Sequence, residues 1–149
     1  MNWLTRIFAA EYACIFDIVL PGLQRLRAPL PLGGTSNFFR TEALISIGGW
    51  DPYNVTEDAD IGIRLSACGF ESRVLPSMTL EEAPGDLKGW IFQRSRWIKG
   101  YMQSWAVHSR YRPRSWRHML SVHLVLGGGV IAALVNPVFW LVFFLWGTG

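Results

Sequence analysis

Acidic residues run out early in this chain. All 11 Asp and Glu of its 149 residues lie at or before Asp86. From Lys88 onward there are eight basic residues and no acid, and past Arg117 only His118 and His123 can carry charge. A tail without charge is not a solvated face, and the order of acidic front, basic middle and apolar end is a segment pattern rather than a uniform surface. Cysteine is equally scarce. Cys14 and Cys68 are the only two, far apart and without ligand spacing, which excludes a disulfide framework and a cysteine-held metal. The expectation for them is two reduced, partly buried thiols. His108, His118 and His123 show no ligand pattern either and are expected to pack or to sit at an interface. There is no internal repeat and no low-complexity tract. The apolar stretch from Met1 to Leu20 is interrupted by Glu11 and Asp17 and is followed by no small-residue cleavage site, so it is not a secretory signal.

What the chain has in abundance is aromatic and apolar side chain: eight Trp, nine Phe and a positive mean hydropathy of +0.21. Its length suits one domain, or one domain with an anchor. The first twenty residues carry a loose helical stripe of Trp3, Ile7, Tyr12, Ile15, Phe16 and Val19. They are expected to form an amphipathic helix on a membrane or on another helix, ending near Pro21-Gly22. Met119 to Trp146, if one helix, would be about 42 Å long against a hydrocarbon core of about 30 Å. Gly127-Gly128-Gly129 interrupts it, and Pro137 should kink or break it. A kinked span is the first reading, and an interfacial helix followed by a shorter span is the second. Arg110, Arg112, Arg114 and Arg117 precede this tail as a positive-inside flank, placing what lies before them on the cytoplasmic side. The basic residues adjoin an apolar tail and no nucleic-acid motif is visible, so nucleic acid is not the expected partner.

Between these ends the elements are short. Ala28 to Gly34 is a loop or extended segment, and Thr35 to Phe39 a short strand. Thr41 is placed to cap a helix over Glu42 to Ile47, with Gly48 at its end. Thr56 caps the next helix, whose stripe is Ile61, Leu65 and Cys68 and whose C′ residue is Gly69. Phe70 to Leu75 alternates weakly, as a strand would, and a long helix follows from about Leu87 to His108.

Two motifs carry chemistry. In Thr56-Glu57-Asp58, a carboxylate in the first turn of a helix is held by backbone donors, and Asp58 is the candidate general base. Acidic residues favour first turns for purely structural reasons as well. Asp58-Ala59-Asp60 also spells D-x-D, but residues i and i+2 of one turn point apart, so Asp60 is expected at the helix dipole or in solvent and not on a metal. In Gln93-Arg94-Ser95-Arg96-Trp97, positions 93, 96, 97 and 100 share one helical face. Arg96 offers a planar fork for phosphate oxygens, Trp97 a flat surface for a sugar ring, and Gly100 room for a close approach. Trp90, Trp97, Tyr101 and Trp105 also form an aromatic packing stripe, which explains the aromatics but not a Gln and an Arg beside them. Gly33-Gly34-Thr35-Ser36-Asn37 would let backbone approach a ligand, and an ordinary turn explains it about as well.

Taken together, Thr56-Glu57-Asp58 and Gln93-x-x-Arg96-Trp97 resemble the T-E-D and Q-x-x-R-W motifs of membrane-bound family 2 glycosyltransferases, such as the cellulose synthase group. The resemblance runs from about Pro31 to Trp105. It implies an α/β nucleotide-diphospho-sugar transferase fold, of which this mainly helical chain is the C-terminal, acceptor-side half, followed by interface helices and a membrane span. The implied division is an interface helix over 1–30, the catalytic half over 31–117 and a transmembrane segment over 118–149. The implied reaction is inverting transfer from a nucleotide-sugar donor to a saccharide acceptor. Asp58 is its base. Gln93 and Arg96 contact pyrophosphate, Trp97 stacks the acceptor, and Gly34, Thr35, Ser36, Thr56 and Glu57 line the substrate. A metal, Mg2+ or Mn2+, is implied with its ligands outside this chain, along with the donor-binding half, so that the chain alone is expected to be inactive. The implied location is the cell (inner) membrane, multi-pass in the full enzyme. The competing readings are a non-catalytic membrane-anchored module and a surface protein binding anionic lipid through Arg110 to Arg117.

Overall fold

A computed structural model of the chain describes residues 2–110 and 115–147. Arg112 and Arg114 of the basic flank lie outside them. The chain opens with α1, Trp3–Ala13, capped by Asn2, whose side chain accepts from the Thr5 N–H at 2.9 Å. It runs without a break through a π-helical turn, Cys14–Val19, into α2, Leu20–Arg25. The stop expected at Pro21-Gly22 does not occur. Proline lacks an N–H and crowds the preceding turn, and the wider π turn just before it accommodates both. The helix ends instead at Arg27, which takes a left-handed φ of 53°. There Ala28 N–H reaches the Leu23 carbonyl and Arg27 N–H the Gln24 carbonyl, both at 2.9 Å, a Schellman closure built without glycine.

Two later helices end as glycine dictates. α3, Thr41–Ser46, closes at Gly48 (φ 80°), with Thr41 inside the first turn rather than capping it. α4, Glu57–Ala67, closes at Gly69 (φ 93°), where Phe70 N–H reaches the Leu65 carbonyl at 2.9 Å. Thr56 stands before α4 but its hydroxyl does not cap. It is buried against α5, Leu87–His108, which begins at Asp86, an N-cap accepting from Gly89 N–H at 2.8 Å.

α4 is the centre of the molecule. Ile61 and Ile63 are both 0 % exposed yet belong to different clusters. Ile61 packs with Leu65 and Ala43 of α3, and Ile63 with Val122, Leu126 and the flanks of Tyr101 and Trp105. Each such isoleucine contributes roughly 1.5–3 kcal/mol by leaving water. Gly62, between them, lies so close to the Pro29–Leu32 segment that a Cβ would stand 1.9 Å from the Leu30 carbonyl oxygen. Gly100 of α5 does the same at the start of α4, where a Cβ would meet Thr56 Oγ1 at 2.3 Å. The room expected at Gly100 is taken by Thr56. Cys68, placed on the α4 stripe by its spacing, is exposed at the helix end, and Cys14 is exposed too.

No strand occurs among the described residues, so the α/β expectation is not met within them. Residues 35–39 and 70–75 carry no regular structure. A strand exists by pairing with another, and neither segment has a partner here. The tail is helical throughout: α6, Trp116–Val122, a π turn, His123–Gly127, and α7, Gly128–Gly147. Gly127 admits the Trp105 ring, 2.7 Å from where its Cβ would stand. Pro137 lies inside α7 without ending it. By length and composition two helices can cross a membrane, Trp3–Arg25 and His118–Gly147.

Alanine at Gly62 or Gly100 should overpack the core and cost about 1–3 kcal/mol or more. Gly62→Ala should cost the more, since a backbone carbonyl cannot rotate aside as Thr56 can. Gly22→Ala, with nothing within 4 Å of its Cβ position, should be neutral. Denaturation of the three variants in detergent gives the order.

Candidate active site

The start of α4 is tied down before it carries a charge. Asn54 Oδ1 accepts from the Thr56 N–H at 3.0 Å, and Asn54 Nδ2 donates to Ser104 Oγ of α5 at 2.8 Å. Ser104 is fully buried. With Thr56 seated on Gly100, the T-E-D segment and the Q-x-x-R-W helix are locked face to face.

Asp58 stands at this junction, half-buried. Its Oδ1 accepts from Ala59 N–H at 2.7 Å. Its Oδ2 faces Gly34, where a Cβ would approach to 3.3 Å. Burial pushes its carboxyl above the ordinary range and the charge of Glu57 adds to this, against the bonds from backbone N–H groups. Tyr101 lies in the same field. Burial raises its phenol, the Asp58 charge raises it further, and Arg94 opposes.

Asp60 has the opposite fate. It is buried, not solvated, and its oxygens accept from Arg64 Nε at 2.6 Å and His108 Nε2 at 2.8 Å. Burial would raise its carboxyl, but these two partners outweigh burial and hold it below the ordinary value. Both oxygens are thereby engaged away from Asp58, so Asp58-Ala59-Asp60 does not fit a metal. Among the described residues no group of three or more His, Cys, Asp or Glu is placed to hold one. His108, expected only to pack, is thus an ion-pair partner. His123 accepts from Trp105 Nε1 at 2.8 Å, and His118 lies 3.4 Å from Ser66 Oγ.

The glycine loop is stitched to the segment before α5. Thr35 Oγ1 donates to Glu81, Ser36 Oγ lies 2.8 Å from Thr79 Oγ1, and Asn37 bonds back to the Gly33 carbonyl. Gly33 itself faces the Phe16 ring, 3.2 Å from its Cβ position. On α5, Gln93 and Trp97 are half-buried, and Gln93 Oε1 is a buried acceptor with no hydrogen-bond partner among the described residues. Arg96 and Glu57 are exposed.

The residue that the spacing argument missed is Arg94. It is Arg94, not Arg96, that turns into the aromatic seam. Its guanidinium lies 4.7 Å from the centre of the Trp97 ring and 5.4 Å from that of Trp90, and it pairs with Glu11 of α1. The signal was present in the stripe itself, because position 94 is four after Trp90 and three before Trp97. An apolar groove of about 410 Å³ on another side of α5, between Trp105 and Leu134, includes none of these residues.

This site sits in a chain that belongs to the glycosyl transferase family group 2, whose family model matches residues 1–148. Among curated proteins it is similar to a probable glycosyltransferase, YdaM, of Bacillus subtilis, at 31 % identity over 65 % of this chain and 23 % of that protein. It is also similar to the beta-monoglucosyldiacylglycerol synthase of Synechocystis, at 30 % identity over 82 % of this chain and 26 % of that one. A UDP-forming cellulose synthase of Dictyostelium discoideum is 35 % identical, in its catalytic polypeptide, over 52 % of this chain and 7 % of its own length. The chain therefore spans about a quarter or less of these relatives. No solved structure matches it. Its homologues are glycosyltransferases, polysaccharide synthases among them, which supports glycosyl transfer as the class of chemistry.

The buried pair makes a prediction of its own. A carboxyl lowered by folding contributes stability above the unfolded value of about 3.9 and loses it as pH falls through the lower, folded value. Asp60→Asn should cost about 3–5 kcal/mol at neutral pH and flatten the acid limb of stability against pH. Thermal melts from pH 2 to 7 check both.

Proposed function

We propose that this chain is the acceptor-side half of an inverting glycosyltransferase that moves a sugar from a nucleotide diphosphate to a saccharide acceptor at a membrane. The observation that carries the proposal is the Asp58 carboxylate, raised by burial and facing a stretch of backbone, Gly34, that has no side chain to cover it. In this reaction the acceptor hydroxyl oxygen bonds to the anomeric carbon. The bond from that carbon to the diphosphate breaks, and its electron pair leaves with the diphosphate. The hydroxyl proton passes to Asp58. A base works best with a pKa close to working pH, and burial moves Asp58 in that direction.

The other roles follow from position. Arg96 is exposed and charged, fit for the leaving diphosphate, and the Gln93 amide NH2 is the group that would donate to the same oxygens. Trp97 is the platform for the acceptor ring. Gly34, Thr35 and Ser36 line the pocket as a braced loop, with Thr56 and Glu57 at its floor and rim. The proposal takes Mg2+ or Mn2+ as the donor's metal and assigns its ligands, with the donor-binding half, to residues outside 1–149, so that purified 1–149 transfers no sugar. It assigns the segments 35–39 and 70–75 to a sheet completed by that half, which is the α/β character inferred from the motifs. It keeps 1–30 as an interface helix, 31–117 as the catalytic half on the cytoplasmic side, and 118–149 as a span of a multi-pass inner-membrane enzyme. The synthase relatives that make cellulose and poly-beta-1,6-N-acetyl-D-glucosamine favour a polysaccharide product.

In a complete enzyme carrying these residues, Asp58→Asn should reduce kcat by roughly 10²–10⁴ with donor affinity unchanged. The same variant should melt no lower, and higher if anything, at neutral pH. A carboxyl raised by folding favours the protonated form and is a burden once pH exceeds its folded value. Near-normal turnover sinks the assignment. For the membrane placement, alkaline carbonate should leave the chain in the pellet; release without detergent counts against a span.

A further inference from the structure

The proposed transfer makes no use of the ion pair that joins the first helix to α5. Glu11 and Arg94 are 83 positions apart in sequence, so the contact is tertiary. Arg94 is largely buried, its side chain 19 % exposed, and its Nε has no hydrogen-bond partner among the described residues. Burying a guanidinium in that state carries a desolvation cost that one carboxylate offsets only in part. Here it lies among aromatic rings, with the centres of Trp97 at 4.7 Å, Trp90 at 5.4 Å and Phe8 at 5.8 Å from its carbon. Phe8 and Tyr12, stacked on each other at 4.3 Å, stand 6.5 Å and 6.2 Å from the Trp97 ring. One carboxylate thus fixes a planar cation, the cation packs against the indole, and two further rings border that indole.

We propose that the Glu11–Arg94 pair is a positioning device for Trp97, holding one indole orientation so that the part of the half-buried ring left exposed is presented to an acceptor sugar. Glu11 and Arg94 are positioning residues and touch no substrate. The inference rests on the reading of Trp97 as the acceptor platform. A plain helix-to-helix tie needs only opposite charges, and lysine at position 94 would serve it. An orienting role needs a cation broad enough to reach Glu11 and pack on the indole at once, which a compact ammonium cannot supply.

The test labels the full chain with 5-fluorotryptophan in detergent micelles and assigns the Trp97 ¹⁹F signal by its loss in Trp97→Phe. Glu11→Gln and Arg94→Lys should each shift or broaden the Trp97 signal while Trp105 and Trp140 stay in place. Arg94→Lys should melt close to the wild type. Cellotetraose is the acceptor probe. It should move the wild-type Trp97 signal, and half-saturation in either variant should need about tenfold more, the equivalent of about 1.4 kcal/mol. A Trp97 signal unmoved in Arg94→Lys overturns the proposal even if Glu11→Gln fails to fold. A wild-type signal indifferent to cellotetraose, with the variant shifts intact, counts against the acceptor reading and leaves the orienting pair standing.

Discussion

The close approach of α5 to the first turn of α4 is the constraint on which the rest depends. Helix axes normally stay 8–10 Å apart because side chains stand between them. Gly100 removes one of those side chains, and Thr56 fills the space with a methyl and a hydroxyl. That contact brings a helix start and its acids against an aromatic helix. Water is displaced from one side of Asp58, and the low dielectric there raises its carboxyl. Two residues later Asp60 enters a setting just as dry, and it stays ionised because Arg64 and His108 are present. Adjacent acids on one turn are thus tuned in opposite directions by what faces them. Sequence spacing alone does not carry that distinction.

Some of this was legible in the sequence. Glycine at 48 and 69 marks helix ends because the left-handed backbone there strains any side chain, and both ends are where the residues place them. The extent of α5, Leu87–His108, is as read from the sequence, with Gly89 and Gly100 inside it. The stop expected at Pro21 does not occur, and Pro137 does not break its helix. At Pro21 and Pro137 the chain around the proline stays helical, and a π turn, which single-residue rules do not foresee, absorbs the first of them. Strand expectations failed because pairing is a long-range event, and a short apolar run carries no record of its neighbour.

The candidate site was legible in part. Asp58 stands where α4 meets α5 and Gly34 faces it, whereas the contacts of Trp97 are with Arg94, Phe8 and Tyr12. Arg94 and Glu11 were not found. A motif read as a fixed string assigns one arginine to the inside, whereas a helix buries whichever residue lies on its aromatic seam. Glu11 could be found only with its partner, since nothing local to α1 requires an acid in an apolar helix except a cation packed against it.

The packing around Ile63 has a consequence for how such a protein is made. Val122 and Leu126, which complete that cluster, belong to the C-terminal apolar helix, not to the polar part of the chain. Synthesis delivers α4 well before those residues leave the ribosome, and domains fold as units only when their partners have emerged. The side of α4 that carries Ile63 is therefore covered only once that apolar helix has been made. A chain stalled before Val122 would hold α4 with one of its two apolar sides uncovered, an unfinished centre.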